Sequence, residues 1–292
     1  MEVTVVKEAS EELWLPIADK VKNATVFMDQ ESAECLFWTS GPLLLLSAGA
    51  KSIKMLSSFE SGAIDDKKAV FISSNALTGT TLAIIEDILK SSSFDYSIIF
   101  TAVDEATHRL ALGRGEMFFQ HLEDKISQCM GDTNCTCEIL YAPTFLAPFT
   151  SLLFVSPTFN DFFPLVHRDL HAIDSMRRNK AEPRSIERLS DVHFYSLPVS
   201  YQVQIRKLAS SFNALFEVLN CKDELFAVGT TSRLIATQLA NHPAAKQRRK
   251  AAPKQASLVL IDRCLDTVAA VQHHDTSLVD KILATLPELP GE

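Results

Sequence analysis

The chain has 292 residues, 47% of them hydrophobic and 22% charged, with nine Gly, twelve Pro and a formal charge of −8. That composition excludes a disordered chain, and so few glycines exclude a collagen-like one. The longest apolar run, Pro42 to Leu46, falls far short of the ~20 residues a bilayer span needs, and Met1–Glu8 lacks the basic and apolar regions of a signal peptide. A cytosolic chain with mostly reduced cysteines is the expectation.

Length suggests about two domains. Charge is shared unevenly between them: residues 1–150 hold 21 acidic and 11 basic side chains, residues 151–292 hold 15 and 17. An acidic first half argues against nucleic-acid binding there. The first 142 residues read as alternating strands and helices. A helical spacing over Glu11–Lys22, interrupted by Pro16, precedes the short apolar run Ala24–Asp29, which has the look of a buried parallel strand. Further strands are predicted at Ile53–Leu56, Ala69–Ser73, Tyr96–Thr101 and Thr136–Tyr141. Helices are predicted from Thr78 as N-cap to Lys90, over Asp104–Leu112 and over Glu116–Met130. With almost no hairpin signals, this alternation predicts an α/β fold, a Rossmann-like parallel sheet with helices on both faces.

Beyond Pro143 the chain is richer in proline. Residues 143–292 read as the opening part of a second α/β domain, with strands at Leu152–Ser156 and Phe226–Gly229, an amphipathic helix over Tyr201–Leu219 and a helix over Ser232–Ala240. Arg177–Arg188 reads as a charged loop, and Asn241–Gln255 as a basic, exposed linker. Ser257–Asp262 reads as the clearest buried strand of the chain, and Thr276–Leu286 as a final helix.

Motifs for chemistry all fail to complete themselves. His167-Arg168-Asp169-Leu170 spells the start of a kinase catalytic loop, but the metal-binding Asn position holds Asp174 and no other kinase element is present. Gly229-Thr230-Thr231-Ser232 opens a helix and could face an anion, yet it lacks the second Gly and the Lys of a phosphate loop, so simple N-capping by a Thr or Ser of the turn is the reading. His121, Cys129, Cys135 and Cys137 could be read as a zinc set, but Cys135 and Cys137 are too close together for a usual zinc pair and read as two sulfurs on one wall of the core. His167 and His171 could share a helix face but lack the Glu of a His-Glu-x-x-His site. No Gly-x-Ser-x-Gly is present. No catalytic group, metal or cofactor is assigned. Lys246, Arg248, Arg249 and Lys250 form a basic stretch without aromatics, a solvated loop or a contact for an acidic partner or anionic lipid.

The strand Leu258–Ile261 delivers Asp262-Arg263-Cys264-Leu265-Asp266 at its carboxyl end, followed by His273 and His274. On residues alone this is a structural corner. The same pattern of apolar strand, Asp-Arg-x-x-Asp and later His resembles the Sec-one/Munc-eighteen (SM) family, and the texture of residues 226–291 supports the likeness. The resemblance implies a non-catalytic protein of vesicle-mediated transport that binds SNAREs, a syntaxin above all. It would be cytoplasmic and reach secretory-pathway membranes through its partners. It also implies that the second domain is completed after a helical insertion, so that this chain would be an N-terminal fragment or short isoform. The alternative reading is an α/β enzyme that holds a phosphorylated small molecule at the carboxyl edge of its sheet, near Asp29 or Gly229.

Overall fold

The computed structural model describes residues 5–113, 118–131, 135–178 and 186–266. In chain order the elements begin with α1 (Val5–Ala18), β1 (Thr25–Met28), α2 (Gln30–Thr39), α3 (Leu43–Ser47), β2 (Ser52–Met55) and β3 (Lys68–Ser73). Next come α4 (Gly79–Lys90), β4 (Tyr96–Thr101), α5 (Glu105–Leu112), α6 (Phe118–Cys129) and β5 (Thr136–Tyr141). The remainder holds β6 (Ala147–Pro148), β7 (Phe154–Val155), α7 (Asp169–Arg178), α8 (Val199–Val218), β8 (Cys221–Val228), α9 (Thr230–Asn241), α10 (Pro243–Ala251) and β9 (Lys254–Ile261), with short 3₁₀ turns between.

Strands β1 to β5 form one parallel sheet in the order β2-β1-β3-β4-β5. Because side chains alternate across a strand, the apolar runs serve two cores at once. Val26, Met28, Val70, Ile72, Ile98 and Phe100 face one side, with Trp14 and Ile17 of α1 and Leu36 of α2. Phe27, Phe71, Ile99 and Ile139 lie in register and face the other, against Ile85 and Ile88 of α4 and Leu122 and Ile126 of α6. Phe27 and Phe71 stack with centroids 5.2 Å apart. Burial on both faces is why these strands read as unbroken apolar runs. The expected fold class is the observed one.

The second half departs from expectation in three places. The strand expected at Leu152–Ser156 shrinks to β7, paired antiparallel with the two residues of β6. The linker expected over Asn241–Gln255 is largely helix α10, with Ala245, Arg248 and Ala252 buried. Its residues are strong helix formers after a proline at the first helical position, a start signal that outweighs the charge run. Last, among the described residues β9 pairs parallel with β8 alone, and α8 and α9 pack on one face of that pair. Its outward residues Val259 and Ile261 are 56% and 65% exposed, beside Phe226 and Val228 of β8 at 48% and 51%. Leu258–Ile261 is therefore half-buried, because a strand needs cover above and below to be fully buried and among the described residues one layer is present. The expected loop at Arg177–Arg188 falls mostly outside the described residues, and the helix at Thr276–Leu286 entirely so.

Candidate functional site

Both carboxylates that end apolar strands are consumed by the chain itself. Asp262, just past β9, is 4% exposed and accepts hydrogen bonds from the Thr231 amide (3.0 Å), the Ser232 amide (2.7 Å) and the Ser232 hydroxyl (2.6 Å). These are the first amides of α9, where orphan donors and the positive end of the helix dipole favour an anion. The anion that the Gly229-Thr230-Thr231-Ser232 turn could receive is thus supplied from within, thirty residues further along. Gly229 has φ +112, and a Cβ built there would fall on the Asp262 carboxyl group. Only glycine combines that backbone with that approach. The expected capping of α9 by its own Thr or Ser is corrected: Gly229 is the N-cap, and the carboxylate of Asp262 does the bonding.

Asp29 repeats the device after β1. It accepts from the Ser32 amide (3.0 Å) at the start of α2, and from the Ser74 amide (2.6 Å), the Ser74 hydroxyl (2.9 Å) and the Ser73 hydroxyl (3.1 Å) beyond β3. At both strand ends the amides of Ser32, Ser74, Thr231 and Ser232, donors that a phosphate would otherwise meet, are taken by the chain's own carboxylates.

The rest of the Asp-Arg-x-x-Asp segment is peripheral. Arg263 is exposed and its Nη1 donates to the backbone carbonyl of Asp266 (3.3 Å). His273 and His274 lie outside the described residues.

The basic stretch divides by burial. The Asp223 side chain, wholly buried on β8, pairs with Arg248 Nη2 (2.8 Å) and with Arg249. Arg248 also donates to the carbonyls of Cys221 (3.0 Å) and Asn213 (3.2 Å). Burial alone would raise the Asp223 pKa, but the hydrogen bonds from Arg249 and Arg248 outweigh it and hold the carboxyl below its usual range. Arg248 and Arg249 are thus committed internally, contrary to the expected solvated loop, whereas Lys246 and Lys250 remain exposed.

Among the described residues no group of His, Cys, Asp or Glu is placed to hold a metal. Cys135 donates to the Phe94 carbonyl (3.6 Å), and burial pushes the Cys137 thiol up to about 12. His171 lies on α7 while His167 precedes it, so the two do not share a helix.

Two surfaces escaped sequence reading. Phe37 and Trp38 on α2 form an exposed aromatic pair (centroids 5.8 Å), Trp38 also meets Phe149 (4.9 Å), and Leu43 of α3 is 73% exposed nearby in sequence. The second is a cleft of about 710 Å³ between α5, α8, α9 and the start of α10, into which Arg206, Arg233 and Lys246 project from three different helices. The three lie on separate helices far apart in the sequence, so no motif could have grouped them.

No family profile matches the chain. It is 39% identical over 95% of its length to "Sec1 family domain-containing protein 2" of Homo sapiens, and covers 42% of that protein. The chain therefore spans less than half the length of this curated relative. Its fold matches the SM protein Vps45 in complex with the Qa SNARE Tlg2, with a TM-score of 0.56 at 8% identity, over 88% of this chain and 39% of that one. It also matches Unc18 in the Unc18–syntaxin 1 complex from Monosiga brevicollis, with a TM-score of 0.53 at 12% identity, over 92% and 41%. Among the described residues no helix is long and apolar enough to cross a membrane.

Proposed function

We propose that this chain belongs with the Sec1/Munc18 (SM) proteins and has a non-catalytic role in vesicle-mediated transport through binding of a Qa SNARE of the syntaxin type. The observation that carries the reading is 39% identity along nearly the whole chain to a Sec1-family relative. The same fold is seen in proteins solved with a Qa SNARE and with syntaxin 1. Two features of this chain agree. Its strand-end carboxylates Asp29 and Asp262 are saturated by its own amides and hydroxyls, as in a scaffold rather than a small-molecule site. Its acidic first half carries the exposed aromatic pair Phe37–Trp38, a surface suited to the apolar face of an amphipathic helix.

We take residues 1–142 and 143–292 as two domains, with the SNARE meeting the first, and place the protein in the cytoplasm at trafficking membranes reached through that partner. Calorimetric titration of the chain with a panel of Qa-SNARE cytosolic segments tests this. Binding to at least one segment, weakened about tenfold by Phe37→Ser with the thermal midpoint unchanged, is expected. Absence of binding across the panel at 100-micromolar concentrations, on the order of the weakest specific contacts, would refute it.

A further inference from the structure

The cleft between α5, α8, α9 and α10 combines four observations that point the same way. First, its charge is one-sided. Arg206, Arg233 and Lys246 line it against a single carboxylate, Asp104, and among the described residues none of the three cations forms an ion pair. The Arg206 guanidinium lies 5.4 Å from the Phe194 ring centroid, and Arg233 Nη2 donates to the carbonyls of Ser190 (3.0 Å) and Val192 (3.3 Å). Those contacts aim the side chains and leave their charges uncompensated.

Second, the one carboxylate is already occupied. Asp104 caps α5, accepting from the Thr107 amide (2.9 Å) and hydroxyl (2.9 Å) and from the Ser210 hydroxyl of α8 (2.6 Å). Third, α10 begins at the cleft wall. Its N-cap His242 makes no side-chain capping bond, and Pro243 follows at the first helical position, so the positive end of that helix lacks the capping acceptor that Asp262 gives α9. Fourth, His242 Nδ1 is buried without a hydrogen-bond partner. A buried polar atom left unpaired is costly unless something external meets it.

We propose that this cleft is a binding site for a compact polyanion bearing several phosphates, in the size class of an inositol polyphosphate. The volume of about 710 Å³ suits such a ligand, and cations delivered from three helices match phosphates spread around a ring better than a single phosphate. A low-dielectric cleft lined by one sign of charge concentrates counter-ions. The chain as a whole carries −8, so generic attraction of polyanions is opposed and binding has to be local. This site is independent of the SNARE reading.

The test is calorimetric titration of the chain with inositol hexakisphosphate at near-physiological salt. One-to-one binding is expected, weakened about tenfold in Arg206→Gln and about tenfold in Lys246→Gln, as loss of one charge-assisted contact implies. Lys250→Gln, on the exposed side of the same α10 helix, should bind as the parent does, and thermal melts should show all three variants folded. No binding by the parent chain, no loss in the two cleft variants, or an equal loss in Lys250→Gln would each overturn the site. Vesicles containing phosphatidylinositol bisphosphate distinguish the source of the ligand. Vesicle binding that the soluble compound displaces and Arg206→Gln abolishes supports a lipid headgroup. Soluble binding without vesicle binding supports a free inositol phosphate. Vesicle binding unaffected by the cleft variants would overturn the proposal.

Discussion

Replacing Asp262 by Ala tests the joint on which the second half of the molecule turns. The substitution strips a buried acceptor from three donors at the start of α9: the Thr231 amide, the Ser232 amide and the Ser232 hydroxyl. The hydroxyl can rotate elsewhere, but the two amides belong to residues only 2% and 4% exposed and have no second acceptor. Each stranded amide costs ~1–3 kcal/mol, and loss of a negative charge at a helix N-terminus costs a further ~0.3–2 kcal/mol. A total of roughly 4 kcal/mol follows, a large share of the ~5–15 kcal/mol that holds a domain folded. Asp262→Asn keeps one neutral acceptor and should lose about half as much. Gly229→Ala should cost about as much as Asp262→Ala by another route, since its Cβ displaces the carboxylate and its backbone sits at φ +112. Because both changes break the same contact, the double variant should lose less than the sum of the singles. Urea unfolding followed by far-UV circular dichroism reads all four. Both tryptophans, Trp14 and Trp38, lie in the first half, so their fluorescence should barely respond if the damage is local. A loss under ~1 kcal/mol in Asp262→Ala, below what even one stranded buried donor costs, would refute the assignment of this carboxylate as the internal anion of α9.

Three further outcomes are expected. Asp223→Asn strands the buried Arg248 and the half-buried Arg249 and should cost ~3–5 kcal/mol at neutral pH; since the Asp223 pKa is lowered by folding, that advantage is present above about pH 4 and fades as acid titrates through the lowered value, so the gap between variant and parent should narrow in an acid series. Lys207, 3% exposed and donating to the Thr158 carbonyl at 3.0 Å, has its pKa pushed down to about 8 by burial. Its unfolded state keeps the proton to about pH 10.4, so between those values stability should rise with pH. Lys207→Met should flatten that rise, and an unchanged slope would contradict it. Phe27→Ala removes a fully buried ring stacked on Phe71 and should cost ~3–5 kcal/mol, visible in tryptophan fluorescence as well as circular dichroism.

The five-stranded sheet was legible from residue order alone. Tyr96–Thr101 and Thr136–Tyr141 are strands with the expected bounds, and Thr78 precedes α4 as expected. A central parallel strand is apolar on both faces, so its composition reports its burial, and helix starts are marked by local residues. The second half resisted for the opposite reason. Whether β9 is covered on one face or two depends on neighbours distant in the chain, and Val259 reads the same in either case. The fate of the α10 cations was also undecidable locally. Arg248 is buried and Arg249 half-buried because Asp223, about twenty-five residues earlier, presents a carboxylate beneath them, while Lys246 and Lys250 stay in water. Asp262 looked like a turn residue, and only the parallel pairing of β8 with β9 carries it to the first turn of α9, where an anion is needed. The cleft cations are the extreme case: Arg206, Arg233 and Lys246 share no motif, since tertiary packing alone brings three helices together and decides which charges meet a partner and which are left to face a ligand.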